Sequence, residues 1–242
     1  MFEITIPVLN EEETLEKNVL LSMSYVMGHI TQDFKIVIAD NGSTDRTMEI
    51  GERLAKEHTK IEFLKVPRRG VGLALRTSWI SSTADYVGYM DLDLATDLKH
   101  LKEVFNLLTN DETEIVNGSR LLKGAIVENR TNLREVTSRG FNFLVQNLLR
   151  VKLSDGMCGF KFFKTSVAQE LINTGINIDG WFFSTEMLTK ALWLGKRVKE
   201  IPVHWTDDPN SKVNVKKLSK EYFNEILRLK SERKEFIKKF KH

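Results

Sequence analysis

Asp85-Tyr-Val-Gly-Tyr-Met-Asp-Leu-Asp93 is the stretch on which the fold turns. Its first part is a short apolar run with the composition of a buried strand. It then ends on two carboxylates, Asp91 and Asp93. A regular strand would aim both at one face, where they repel. A divalent cation removes that repulsion, and hard cations such as Mg²⁺ and Mn²⁺ take oxygen ligands and pair with diphosphates. The pair therefore predicts a metal-held nucleotide at the carboxyl end of a sheet strand. The competing reading is a solvated acidic turn.

Outward from this stretch, the first half of the chain alternates strand and helix. Strands are predicted over 2–8, 34–39, 61–66 and 85–90, and helices over 12–28, 44–58, 71–81 and 98–108, with Thr44 and Asp97 as N-caps. Such alternation implies a mostly parallel sheet covered on both faces, with ligands beyond the carboxyl ends of the strands. The segments at those ends, 7–13, 40–45, 67–72 and 91–96, are polar, charged or Gly-rich. Later strands are predicted over 114–118, 159–164 and 197–205, and later helices over 132–150 and 184–194. One α/β domain over 1–209, followed by a basic amphipathic tail over 210–242, is the simplest division.

The 242 residues carry a formal charge of only +3, which gives no argument for a nucleic-acid partner. From Asn210 to His242, however, eleven Lys or Arg face four Glu. Leu218, Tyr222, Ile226, Leu229, Phe236 and Phe240 recur there at three, four or seven residues, so the tail predicts a helix with one apolar face. Either that face lies in an anionic membrane surface or it packs on its own domain. A single cysteine, Cys158, excludes an internal disulfide framework. The opening Met-Phe-Glu-Ile-Thr-Ile-Pro reads as a strand and not as a signal peptide, and no apolar run reaches the roughly 18 residues of a membrane span.

Further candidate chemistry lies at the predicted strand ends. Asp40-Asn-Gly-Ser-Thr-Asp45 offers planar donors and acceptors on a tight turn, against the plainer reading of a strand-to-helix connection. Gly70-Val-Gly72 after Arg68-Arg69 offers backbone N–H groups at a helix start, where phosphate binds. Arg120, Arg130, Arg134, Ser138 and Arg139 gather forked donors suited to phosphate near the fifth strand and on one helix, where residues 130 and 134 would share a face. His204, alone in an alternating strand, reads as structural.

Taken together these segments resemble the family 2 glycosyltransferases of GT-A fold, and within them the polyprenyl- and dolichyl-phosphate glucosyltransferases, with the dolichyl-phosphate mannose synthases more distant. Pro7-Val-Leu-Asn-Glu11 is similar to the opening nucleotide motif, Asp40 to Asp45 to the base-binding turn, and Asp91-Leu-Asp93 to the metal motif. Gly118-Ser-Arg120 and Ser138-Arg-Gly140 resemble acceptor-side segments. Asp155-Gly-Met-Cys-Gly-Phe-Lys161, Gly180-Trp-Phe-Phe-Ser-Thr-Glu186 and Trp205-Thr-Asp-Asp-Pro-Asn-Ser-Lys212 resemble the glucosyltransferase branch. Three positions depart from the pattern: Val71, Ala95 and Ser184, the last standing where the branch often has Asp.

The resemblance implies an inverting, metal-dependent hexosyltransferase. Its donor would be UDP-glucose, with GDP-mannose the alternative, and its acceptor a polyprenyl or dolichyl phosphate at the cytoplasmic face of a membrane, with or without a separate membrane protein partner. It implies Mg²⁺ or Mn²⁺ on Asp91 and Asp93. Pro7, Asn10, Glu11, Asp40, Asn41, Gly70 and Asp91 would line the nucleotide-sugar pocket. Arg120, Arg134, Ser138, Arg139 and Lys212 would receive the acceptor phosphate, and Glu186 would hydrogen-bond the donor sugar. Two alternatives remain at this level: transfer to a hydroxyl acceptor, with Glu186 as base, and a catalytically weak nucleotide-sugar-binding protein that recruits partners.

Overall fold

The computed structural model describes residues 1–207 and 215–240. In chain order the elements are β1 (Phe2–Val8), α1 (Leu15–His29), β2 (Phe34–Asp40), α2 (Thr47–Glu57), β3 (Ile61–Lys65), α3 (Val71–Ile80), β4 (Tyr86–Met90) and α4 (His100–Thr109). There follow β5 (Ile115–Ser119), β6 (Ile126–Glu128), α5 (Asn132–Leu149), β7 (Phe160–Lys164), α6 (Thr165–Asn173), α7 (Phe182–Trp193), β8 (Val198–Pro202), β9 (His204–Thr206) and α8 (Val215–Phe240).

Seven strands form one sheet in the order β3-β2-β1-β4-β7-β5-β8. The pairs β1–β2, β1–β4, β2–β3 and β5–β8 are parallel, and β7 runs antiparallel between β4 and β5. The chain builds outward from β1 through β2 to β3, then returns to place β4 on the other side of β1. That reversal opens a crevice beyond the carboxyl ends of β1 and β4, the usual ligand position in such sheets. The end of β4 is Met90, so Asp91 and Asp93 stand at the mouth of the crevice.

The buried strands read as continuous apolar runs because helices cover both faces. One core cluster packs β1, β2, α1 and α4 around Ile4, Ile36, Leu101 and Phe105. The other packs α3, α5, α6, α7 and α8 around Trp79, Phe163, Phe183 and Leu188. Gly88 in β4 is required by close approach, since a Cβ there would lie 2.1 Å from the Phe162 ring on β7.

Three local expectations are corrected. The second helix starts at Thr47, not Thr44, because Asp45 Oδ1 accepts from the Thr47 N–H (3.0 Å) and closes the turn ahead of it. Asp97 makes the same kind of turn, accepting from the Lys99 N–H (2.9 Å), and the helix follows from His100. The segment 197–205 is two strands, not one. Pro202 ends the ladder with β5, and the chain then crosses to pair β9 with β6 in a separate parallel ribbon.

The apolar stripe of the tail helix turns inward. Tyr222, Ile226, Leu229 and Phe236 are buried in the core cluster built on Trp79 and Phe183. The apolar face that could have entered a membrane is therefore covered by the protein itself. No described helix is long and apolar enough to cross a membrane.

Candidate active site

The crevice wall at β1 and β2 is a set of interlocked turns. Asn10 is at positive φ; its backbone N–H donates to Ser43 Oγ (2.9 Å), and its Oδ1 accepts from the Thr44 N–H (2.8 Å). The Glu11 N–H donates to Thr47 Oγ1 (2.7 Å). Buried Asp40 accepts from the Ser43 N–H (3.2 Å), and buried Asn41 Oδ1 accepts from the Gly70 N–H (3.2 Å). The last bond ties the glycine loop to the turn after β2. Thus Pro7, Asn10, Glu11, Asp40, Asn41 and Gly70 are brought to one end of the sheet, as their strand-end positions predicted.

At β4 the two carboxylates differ. Asp93 is exposed, and its Oδ1 accepts from the Ala95 N–H (3.0 Å). Asp91 lies against Gly159, where a Cβ would stand 1.8 Å from Asp91 Oδ2, so only glycine leaves room for that carboxylate. Burial, and then the charge of Asp93, push the Asp91 carboxyl up to about 7; Lys161 and Arg120 pull the other way. Lys161 on β7 is fully buried, donates to the Cys158 carbonyl, and has its pKa lowered chiefly by burial. Such under-compensated negative charge, with hard oxygen donors, fits a divalent cation. No group of three or more His, Cys, Asp or Glu forms a ready metal cage among the described residues. The remaining ligands would have to come from the diphosphate or solvent.

Arg120 departs from expectation. Its Nε and Nη2 fork onto Asp155 (2.7 and 3.0 Å), and its guanidinium lies over the Trp205 ring at 4.8 Å. Burial alone would raise Asp155, yet the Arg120 charge and hydrogen bonds bring it down to about 2. Arg120 is therefore held as a matched ion pair. The Asp155 loop is held from three sides: Glu200 accepts from the Ser154 N–H (2.8 Å), Asn142 from the Gly156 N–H (2.8 Å), and the Gly156 carbonyl accepts from Thr185 Oγ1 (2.8 Å).

Arg130 is bonded more loosely than Arg120. It precedes α5, so it shares no helical face with Arg134; instead its Nη2 reaches back to Ser138 Oγ (2.6 Å). Its Nε lies 2.8 Å from Glu135 and its Nη1 3.8 Å from Asp207, but neither N–H is in hydrogen-bonding geometry, although the side chain is buried. Arg134 Nη1 donates to Asp207 Oδ1 (3.3 Å). The Trp205 ring under Arg120 donates from Nε1 to Asp207 Oδ1 (3.1 Å), which places the Arg130 cluster beside the Arg120 pair, and burial, then the charge of Arg120, lower the Arg130 pKa. Arg139 is outside it, exposed and paired to Glu135 at 2.5 Å. Lys212 lies outside the described residues.

Glu186 is also relocated. It is buried and ion-paired to Lys190 (2.6 Å) and to Arg228 on α8 (2.5 Å), so it clasps α7 to α8. Glu186→Gln is expected to leave Lys190 as an unmatched buried ammonium and to destabilise the fold by about 3 kcal/mol, read as a shift in denaturant midpoint. Ser184, two residues earlier, is buried beside the Tyr89 hydroxyl and donates to the Trp181 carbonyl (3.4 Å). Tyr222 of α8 packs against Phe141 and Phe182 (5.2 and 5.5 Å), and burial, then the charge of Glu221, push its hydroxyl pKa up. The sequence offered Arg130 only as one of several donors suited to phosphate, Asp155, Lys161 and Asp207 only as members of longer motifs, and Tyr222 only as part of the tail's apolar stripe; none of the last four was given a role of its own.

A Rossmann-like sheet with an Asp-x-Asp pair at its switch point is the GT-A arrangement. Residues 3–172 match the model of glycosyl transferase family 2, and the chain belongs to that family. It is 35% identical over 214 residues to glycosyltransferase AglD of Haloferax volcanii, an alignment covering 88% of this chain and 34% of that protein. It is 29% identical over 220 residues to the dolichyl-phosphate beta-glucosyltransferase ALG5C of Trichomonas vaginalis, covering 87% of this chain and 65% of that one. The chain thus spans about a third and just under two thirds of these relatives. The fold is also that of glucosyl-3-phosphoglycerate synthase from Mycobacterium tuberculosis, solved with Mn²⁺, UDP and glucosyl-3-phosphoglycerate. The two superpose with a TM-score of 0.66 at 18% identity, over 96% of this chain and 79% of that one.

Proposed function

We propose that this protein is an inverting hexosyltransferase that moves glucose from UDP-glucose onto a polyprenyl or dolichyl phosphate at a membrane surface. The observation that carries the reading is buried Arg130, with two N–H groups out of hydrogen-bonding geometry, set with Arg134 and Ser138 beside the Arg120–Asp155 pair. Such a cluster receives an acceptor that is itself an anion. The names of the dolichyl-phosphate glucosyltransferase relatives agree with a lipid phosphate.

Pro7, Asn10, Glu11, Asp40, Asn41 and Gly70 would line the nucleotide pocket, and Asp91 and Asp93 would hold Mg²⁺ or Mn²⁺. When bound, that ion would supply positive charge to the donor diphosphate. Arg130 and Arg134 would seat the acceptor phosphate, and Arg120, fixed by Asp155, would shape the wall between the two substrates. An acceptor phosphate oxygen then forms the new bond at the anomeric carbon. The bond from that carbon to the nucleotide diphosphate breaks, and the diphosphate leaves with the electron pair.

Glu186 is held by Lys190 and Arg228, which supports an acceptor that needs no base over a hydroxyl that would need one. A phosphate monoester needs none, because its second pKa is about 6 and it is largely dianionic at neutral pH. Ser184→Ala is accordingly expected to keep most activity, while the rate falls below about pH 6 as the acceptor takes up its second proton. The deciding assay is transfer of labelled hexose from UDP-glucose or GDP-mannose to polyprenyl phosphate. Absence of turnover with every donor would leave the binding-protein reading in place, and loss of more than about a hundredfold in folded Ser184→Ala would overturn the account of the nucleophile.

A further inference from the structure

The Arg130 cluster borders an outer face that the core does not cover. The inward side of α5 is Asn142, Val145 and Leu149, all buried. On its opposite side Leu133, Val136 and Phe143 recur at three and seven residues, and they are 66%, 69% and 64% exposed. Leu133 and Val136 bracket Arg134 in the first turns of the helix. α8 packs beside α5, with Tyr222 against Phe141 at 5.2 Å. Its outward side carries Lys220, Phe223, Leu227, Lys230 and Lys234 at steps of three or four, with Phe223 and Leu227 44% and 43% exposed and the lysines exposed.

The charges of α8 are sorted by flank. Glu221, Glu225, Glu232 and Glu235 recur at four, seven and three residues along the other flank, where Arg228 binds Glu225, Glu232 and the Glu186 of α7. The glutamate flank thus faces α7, and the lysine flank lies on the side of α5. Lysines beside exposed apolar side chains, with no glutamate among them, complement an anionic lipid surface.

We propose that the outward faces of α5 and α8 form one surface that docks on an anionic lipid bilayer, through Leu133, Val136, Phe143, Phe223 and Leu227 with Lys220, Lys230 and Lys234 around them. The inference rests on the reading of a lipid-linked acceptor and adds to it the surface that meets the membrane. Docked in this way, the first two turns of α5 bring Arg134 and Ser138 to the level of lipid phosphates.

The test is co-sedimentation of the full chain with phosphatidylcholine vesicles, with and without phosphatidylserine, for three proteins: the native chain, a Leu133→Ser/Val136→Ser/Phe143→Ser variant, and a Lys220→Gln/Lys230→Gln/Lys234→Gln variant. Native protein is expected to bind the anionic vesicles at least about tenfold more tightly than the neutral ones. The apolar variant should lose at least about tenfold on both, and the lysine variant should lose only the preference for phosphatidylserine. All three should give native circular dichroism and unchanged transfer to a short, water-soluble prenyl phosphate without vesicles. No binding by the native chain, or equal binding by all three, overturns the surface. So does self-association of the native chain that the apolar variant abolishes without any vesicle binding, which would assign the face to a second copy. Vesicle binding as expected without transfer to the short acceptor leaves the surface standing and overturns the proposed function instead.

Discussion

Asp91→Asn is expected to abolish most turnover and, in chelator, to make the protein more stable. The two effects share one cause. Burial and Asp93 raise the Asp91 pKa from 3.8 to about 7, so the folded chain holds this carboxylate at a cost whenever it is ionised. Below the unfolded value near 4 both states carry the proton and the group is neutral to stability. As pH rises toward about 7 the unfolded state has lost its proton while the folded state keeps it, so stability falls; above about 7 the full penalty applies. Asparagine carries no charge, and the variant should therefore melt higher than the native protein at pH 8 and alike at pH 4. Each kcal/mol recovered is worth about 2–4 °C in a chain of this size.

With Mn²⁺ the order should reverse, since a ligand held only by the folded state raises the native Tm and the asparagine variant has lost a ligand. Removing one group that stabilises developing charge on the leaving diphosphate costs about 3–4 kcal/mol, or roughly 10²–10³ in rate. Differential scanning in chelator and in Mn²⁺, paired with turnover, reads all of this. Native activity that survives chelation, or a variant less stable than native at pH 8 in chelator, would remove the metal role of Asp91.

What was legible in the sequence is what hydropathy and spacing encode. The alternation of strand and helix through Met90 and the placing of Asp91 and Asp93 at the carboxyl end of that strand follow from period and strand ends; the strand order that puts the switch point beside them does not. The direction of β7 does not, because an antiparallel strand buried on both faces has the same composition as a parallel one. The partner of Arg120 was illegible for another reason: Asp155 is 35 residues away in a loop, and it meets the guanidinium only because Glu200, Asn142 and Thr185 pin that loop. Glu186 and Ser184 sit two apart in one motif, but two helical residues point about 200° apart. One therefore looks to Tyr89 and the other to α8. Arg130 and Arg134 do converge, through a loop that folds back to Ser138 and not through helical spacing. The apolar stripe of the tail was plain from its period, whereas what covers it is a tertiary fact.

That tertiary fact sets the last expectation. A chain ending near Asn210 is expected not to fold stably, although it keeps every strand of the sheet and every residue of the Asp91 and Arg130 sites. α8 contributes Tyr222, Ile226, Leu229 and Phe236 to the core built on Trp79 and Phe183. Burying a side chain of that kind is worth about 1.5–3 kcal/mol, so four of them rival the roughly 5–15 kcal/mol by which a whole domain is stable. The truncation also strips Arg228 from Glu186 and the Phe236 ring from Lys190, which it contacts at 5.0 Å. The Lys190–Glu186 pair is then opened to solvent at the surface of a bared core, and the Trp193 ring loses its contact with Phe236. Weak vesicle binding by such a truncated chain would therefore report unfolding and not the loss of a membrane anchor, which is why surface substitutions on the 242-residue chain are the informative ones. Expression of a soluble, monomeric chain ending at Asn210, with a cooperative melt close to that of the full protein, would show that α8 is an appendage and that the core closes without it.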